Sequence, residues 1–344
     1  MVHASTQSAD LRSAGGHNVV SLGEVEPENI SALVLGGGEI LGANWSQALA
    51  STLPRPFDRI VSIGRRILPP ETLDFLSRRA KRGTTKLPYL PSGNEFQSSP
   101  LLANAIGASS ISELSPERRG IAIQALARST HLSVRDSIGA SLLSEYGLDP
   151  KLVPDSVAIL NRIHPVESVR ESGVMTFQCS DPWYRSNERY LISQLVSLSS
   201  EFSKIRLVPI GLAGDHSDDR ALRKIADTMR DHQVNVELVS VEHIWDVADA
   251  IGTSDIFVGS SLHGNITAMA YGIPSVGLCQ TPKLTNYLQT WGDGLRPSDV
   301  QSNDIANTVR AARLADPNLL RLQAEHLDKL SWSNTVELIE RSVK

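Results

Sequence analysis

Asp255-Ile-Phe-Val-Gly-Ser-Ser-Leu-His-Gly-Asn-Ile-Thr-Ala-Met-Ala-Tyr-Gly-Ile-Pro-Ser275 is the stretch on which the fold turns. Its first residues are an apolar run short enough to be a buried strand. A turn of small and polar residues follows, then a run rich in Ala, Ile and Met at helical spacing. Gly272 closes that helix and Pro274 prevents its continuation. The segment therefore reads strand, turn, helix, with Ser260, Ser261, His263, Gly264 and Asn265 in and around the turn.

Working outward, similar apolar runs occur at 174–177, 206–210, 236–239 and 275–278, with helical patterns between them. In the clearest of these, Leu191, Leu195, Leu198 and Phe202 recur at intervals of four, three and four. Strands alternating with helices predict a parallel sheet covered on both faces. In the first half, strand-like runs are expected at Val19-Val20-Ser21-Leu22, at Ala32-Leu33-Val34-Leu35 running into Gly36-Gly37-Gly38, and at Ile60-Val61-Ser62-Ile63 ending at Gly64. Residues 1–17 are small and polar and are expected to form a disordered tail. Residues 80–100, rich in Pro, Gly and Ser, read as a long loop. The chain is 344 residues long, which at roughly 150 residues per domain suggests two domains. The division is expected near His164–Ser172, giving an N-terminal α/β domain over 18–168 and a C-terminal one over 169–344.

Composition narrows the function. With 41% hydrophobic and 21% charged residues the chain can fill two cores. A net charge of −5 argues against nucleic acid as the main ligand, because phosphate backbones demand a basic surface. The two cysteines, Cys179 and Cys279, form neither a disulfide framework nor a metal-ligand spacing, and fit a reducing cytosol. The N-terminus lacks the apolar stretch of a signal peptide, and no run approaches the roughly 20 apolar residues that span a bilayer. A cytoplasmic protein is expected, and peripheral membrane association through a lipid-linked substrate would leave no mark of this kind.

In an open parallel sheet, ligands bind beyond the carboxyl ends of the strands. The turn at 260–265 lies there, at a helix N-terminus where unpaired N–H groups favour an anion. A histidine at that place can move protons near neutral pH or pair with a phosphate. Helix capping or packing is the alternative for His263. Arg135, after the expected strand 132–134, can grip a carboxylate or phosphate with two parallel bonds. Its alternative is an ion pair with Asp136 or Asp155. Lys283, after the strand 275–278, offers a point charge or is an ordinary solvated lysine. Gly36, Gly37 and Gly38 permit backbone conformations that side chains block, either to meet substrate or to make a tight turn. They lack the spacing of a dinucleotide fingerprint. Gly211-Leu-Ala-Gly-Asp215 is a further candidate loop, with 218–220 expected to begin a helix. Trp45, Trp183, Tyr184 and Trp291 could offer a sugar-stacking face or be buried aromatics.

Ser260-Ser-Leu-His-Gly-Asn-Ile-Thr-Ala-Met-Ala-Tyr-Gly-Ile-Pro-Ser-Val-Gly-Leu278 resembles the C-terminal signature of polysaccharide pyruvyl transferases. Four more features match that family in order: Leu35-Gly-Gly-Gly-Glu-Ile-Leu41, Ser133-Val-Arg-Asp-Ser137, Val153-Pro-Asp155 and Lys283. The matches span roughly residues 32 to 290. The family's opening asparagine-x-glycine-aspartate turn has no counterpart here, so part of the N-terminal sheet is expected to be missing or replaced. The resemblance implies two doubly wound Rossmann-like domains facing a cleft, similar to the glycosyltransferase type B architecture. It implies phosphoenolpyruvate as donor and a saccharide or lipid-linked saccharide as acceptor; no ligand cluster visible in the sequence calls for a metal, and no cofactor is expected. His263, Arg135 and Lys283 are the catalytic candidates. Gly36, Gly37, Gly38, Ser260, Ser261, Gly264 and Asn265 are the substrate-binding candidates. The rival readings are a nucleotide-sugar glycosyltransferase of the same architecture, against which the helix 264–271 holds no carboxylate, and a non-catalytic saccharide-binding partner.

Overall fold

The structure, a computed structural model, describes residues 1–53, 58–83, 85–90, 96, 99–166, 171–211, 217–278 and 281–343. Cys279 and the loop residues 212–215 lie outside that description. The chain divides into two compact units. The first is Met1–Asp155 with the chain end from Ser333; the second holds Ser156–Leu212 and His216–Trp332. The first unit thus ends at Asp155, earlier than the expected 168, and takes back the last turns of the C-terminal helix.

The first unit opens with β1 (His3–Ser5), β2 (Ala9–Asp10) and β3 (Asn18–Ser21), which form a small sheet in the order β1-β3-β2. The expectation of a disordered tail over 1–17 is corrected here. The tail is polar, yet backbone pairing of His3 with Val19 and Ala9 with Val19 gives its N–H and C=O groups partners without an apolar core. The main sheet follows: β4 (Leu33–Gly36), α1 (Trp45–Ala50), α2 (Asp58–Ile67), α3 (Pro70–Ala80), β5 (Leu101–Ile106), α4 (Pro116–Ala127), β6 (Ser129–Val134), α5 (Ser137–Glu145) and β7 (Lys151–Leu152). Its four strands pair in parallel in the order β4-β5-β6-β7. The strand expected at Ile60–Ile63 is instead the middle of α2. Short apolar runs do not separate strand from helix; here Val61, Gly64 and Leu68 fall at helical spacing, and Val61 is buried with Ala50 and Leu73. Residues 85–90 have no regular structure, as expected of a loop, but Leu87 and Leu90 are fully buried in the unit's core.

The second unit contains α6 (Leu160–Ile163), β8 (Val174–Gln178), α7 (Asp181–Leu198), β9 (Lys204–Leu207), α8 (Asp218–Asp231), β10 (Val236–Leu238), α9 (Ile244–Gly252), β11 (Ile256–Gly259), α10 (Leu262–Ala270), β12 (Ser275–Gly277), α11 (Pro282–Trp291), α12 (Ile305–Ala312) and the start of α13 (Pro317–Ser342). All five strands are parallel, in the order β10-β9-β8-β11-β12. Every residue of β8 and β11 is buried. Ile256 and Val258 join the core made with α7, α8 and α12, while Phe257 joins Ile251 of α9 and Ala268 of α10 on the opposite face. Strands covered on both faces read as continuous apolar runs, which is why this sheet was the more legible one. The strand order reverses between β8 and β11, and that switch point is where such sheets open a crevice.

Candidate functional site

At the carboxyl end of β8, Gln178 is buried and bridges the switch point. Its Oε1 accepts the Ser261 N–H at 2.9 Å, and its Nε2 donates to Asp218 Oδ2 at 2.8 Å. The same Asp218 oxygen accepts the N–H groups of Gly211 at 2.7 Å and Ile210 at 3.1 Å. One glutamine and one carboxylate therefore fix the ends of β8, β9 and β11 relative to each other. Asp218 stands, as expected, at the start of its helix; Gln178 was not singled out in the sequence, although a polar residue ending the buried run Val-Met-Thr-Phe-Gln was a usable signal. Cys179 follows directly and is fully buried; burial pushes its thiol well above the ordinary range, with Asp218 and Asp181 adding to the effect, so it is no thiolate nucleophile.

The turn after β11 is built by capping. Ser261 is the N-cap of α10, its hydroxyl accepting the Gly264 N–H at 3.2 Å. Asn265 is fully buried and donates to the carbonyls of Gly259 at 3.0 Å and Ser261 at 2.9 Å. A Cβ on Gly264 would come within 2.6 Å of the Phe257 ring, so this glycine is required by packing. Gly264 and Asn265, expected to bind substrate, thus hold the turn. Ser260 is 5% exposed, and its hydroxyl accepts the Ser180 N–H at 3.4 Å. What this scaffold presents outward is His263, exposed in the first turn of α10. Lys283 is half-buried in the first turn of α11, which starts after the neighbouring strand β12. Gly259 of β11 is in register with Gly277 of β12, so two helix N-termini begin beyond adjacent strand ends in one unit. Gln178→Ala should leave the Ser261 N–H without this acceptor. Losing that neutral hydrogen bond, worth about 0.5–1.5 kcal/mol, together with the bond to Asp218, should lower kcat by roughly threefold to tenfold, with the circular dichroism spectrum unchanged.

In the first unit the glycine turn is a matter of backbone shape. Gly37 and Gly38 have φ of +63° and +64°, and added Cβ atoms would meet no atom closer than 3.8 Å. Glu39 follows, and its Oε1 accepts from the N–H and hydroxyl of Ser110, each at 2.8 Å. Arg135 is 1% exposed, with Nη1 donating to Asp155 Oδ2 at 3.1 Å and Nη2 lying 3.5 Å from Glu39 Oε2. The guanidinium thus lies against two carboxylates, of which Asp155 is one of the two ion-pair partners weighed for it as the alternative to gripping the donor. Asp136 caps α5 through the Gly139 N–H at 2.8 Å. Burial pushes its carboxyl above the ordinary range, Glu39 adds to this, and the Gly139 N–H opposes it. Trp45, Trp183 and Tyr184 are buried and offer no stacking face.

These features can be set beside known proteins. A family model described as polysaccharide pyruvyl transferase matches residues 33–278. No curated protein sequence matches the chain. Among solved structures, Methanocaldococcus jannaschii UDP-GlcNAc 2-epimerase in complex with UDP-GlcNAc and UDP is similar at a TM-score of 0.51 and 9% identity, over 83% of this chain and 94% of that one. Neisseria meningitidis UDP-GlcNAc 2-epimerase bound to UDP-GlcNAc gives 0.49 and 11%, over 87% and 99%. A second structure of the M. jannaschii enzyme gives 0.46 and 11%, over 64% of each chain, so this chain spans under two thirds of that length. At 9% identity the first of these is a likeness of fold, that of the Rossmann-like, glycosyltransferase type B class expected from the sequence.

Proposed function

This chain belongs to the polysaccharide pyruvyl transferase family and is a transferase, and we propose that it moves a pyruvyl group from phosphoenolpyruvate to two hydroxyls of a saccharide, forming a ketal. The observation that supports this most is the exposed His263 in the first turn of α10, beyond the strand end at the switch point of the second unit's sheet. The reaction needs a proton delivered to the methylene carbon of the donor, which leaves C2 electron-poor. Two sugar oxygens then bond to C2 as the C2–O bond to phosphate breaks. Of the two hydroxyl protons, one balances the proton gained by carbon and the other leaves with phosphate. An imidazole can carry protons in both directions at neutral pH.

The donor brings a carboxylate and a phosphate. Lys283 and the N–H groups at the starts of α10 and α11 are the groups of this unit suited to anions. Arg135 and Glu39 act as positioning residues that hold the glycine turn of the first unit, whose Gly36, Gly37 and Gly38 are substrate-binding candidates. The acceptor is a saccharide, free or lipid-linked, of the kind used in cell-surface or exopolysaccharide synthesis in the cytoplasm.

Charge-assisted bonds contribute about 1.5–3 kcal/mol each. Lys283→Ala should therefore weaken phosphoenolpyruvate binding by roughly one to two orders of magnitude, read by titration calorimetry. The reaction itself is tested by incubating the protein with phosphoenolpyruvate and saccharide acceptors and following phosphate release with mass spectrometry. A product heavier than its acceptor by one pyruvyl ketal supports the proposal. Transfer of a sugar from a UDP-sugar by the same preparation would overturn it.

A further inference from the structure

Two helices of the first unit carry side chains that its core does not use. On α2, Val61 and Gly64, continued by Leu68 just past its end, form the inward stripe; Val61 is 3% exposed, and a Cβ on Gly64 would stand 3.0 Å from Leu73 of α3. One residue around the helix, Ile60, Ile63 and Ile67 repeat the same spacing and are 62%, 54% and 73% exposed. The adjoining α3 adds Phe75 and Leu76, each about half exposed. Single exposed apolar residues are ordinary, but five large ones on two neighbouring helices mark an interaction surface.

Charge says what covers it. Residues 58–82 hold seven Arg or Lys against three Asp or Glu, in a chain whose net charge is −5. One of those carboxylates, Asp74, is already engaged by Arg118 at 3.3 Å. Arg66, Arg79 and Arg82 are exposed, and the guanidinium groups of Arg78 and Arg79 lie 5.7 and 5.9 Å from the centre of the Phe75 ring. A symmetric contact between two copies would set these arginines against one another. No described helix is long and apolar enough to cross a membrane. We infer that α2 and α3 dock the protein onto an anionic lipid surface, with the isoleucine stripe at the acyl boundary and the arginines among the headgroup phosphates. Basic helices with one apolar face bind in this way whatever their length, and cations near such a surface each strengthen the attraction. The inference does not depend on which reaction the protein performs.

The test uses the full chain sedimented with vesicles of phosphatidylcholine alone, or of phosphatidylcholine and phosphatidylglycerol in equal parts. The protein should pellet with the second and not the first, and added salt should release it. Ile60→Ser/Ile63→Ser/Ile67→Ser and, separately, Arg66→Gln/Arg79→Gln should each lower the apparent affinity by roughly tenfold, with melting temperature and elution volume unchanged. Wild-type binding by both variants, equal pelleting with neutral vesicles, or no binding by the wild type would overturn the inference. So would a dimer that the isoleucine variant abolishes, which would make the stripe a contact between copies.

Discussion

His263→Ala should fold as the wild type does and lose about two to four orders of magnitude in kcat, the range for removal of a general acid or base. The side chain is exposed, so its removal opens no cavity. The turn beneath it is held by other groups, namely the Ser261 cap, the two bonds from buried Asn265 and the Gln178 bridge. Steady-state kinetics beside a thermal melt read the two expectations separately. Near-normal turnover by a folded variant would remove His263 from the chemistry and leave it an exposed residue near a helix start.

Arg135→Ala should act differently, on stability first. The guanidinium is buried beside Asp155, itself buried, and Glu39, so truncation removes a positive charge from between two carboxylates of the first unit. Breaking a buried pair from one side costs about 3–5 kcal/mol, whereas replacing both partners by apolar groups is often close to neutral. Urea unfolding should therefore show a large loss for Arg135→Ala and a partial recovery in Arg135→Met/Asp155→Leu. Arg135→Lys should also be harmful, because an ammonium cannot reproduce two divergent donors. Wild-type stability in Arg135→Ala, together with weakened phosphoenolpyruvate binding, would restore the reading in which this arginine grips the donor.

These two residues show what the sequence could and could not disclose. His263 sits between a strand and a helix that are adjacent in the chain, so local pattern alone put it at a strand end. Arg135 also follows a strand, but its partners lie 96 and 20 positions away, and no local signal told whether the guanidinium faced outward or in. Glu39, immediately after the glycines, was the clue: an acid in a tight turn is well placed to find a cation. The bonds of Gln178 and Asp218 were missed because they join three strands that only the sheet order brings together. The strands of the second unit were legible because both their faces are buried, whereas α2 was misread because three apolar residues in a run of four suit either period. The isoleucine stripe of α2 is the physical reason for that misreading: an exposed apolar face beside the buried one blurs the helical pattern.

Pyruvyl transfer at the second unit's switch point is tested most directly by titration calorimetry of the wild-type protein with phosphoenolpyruvate and, in parallel, with UDP-GlcNAc. Saturable heat is expected from phosphoenolpyruvate, weakened by roughly one to two orders of magnitude in Lys283→Ala, and none from UDP-GlcNAc. Saturable binding of UDP-GlcNAc with no response to phosphoenolpyruvate would contradict it.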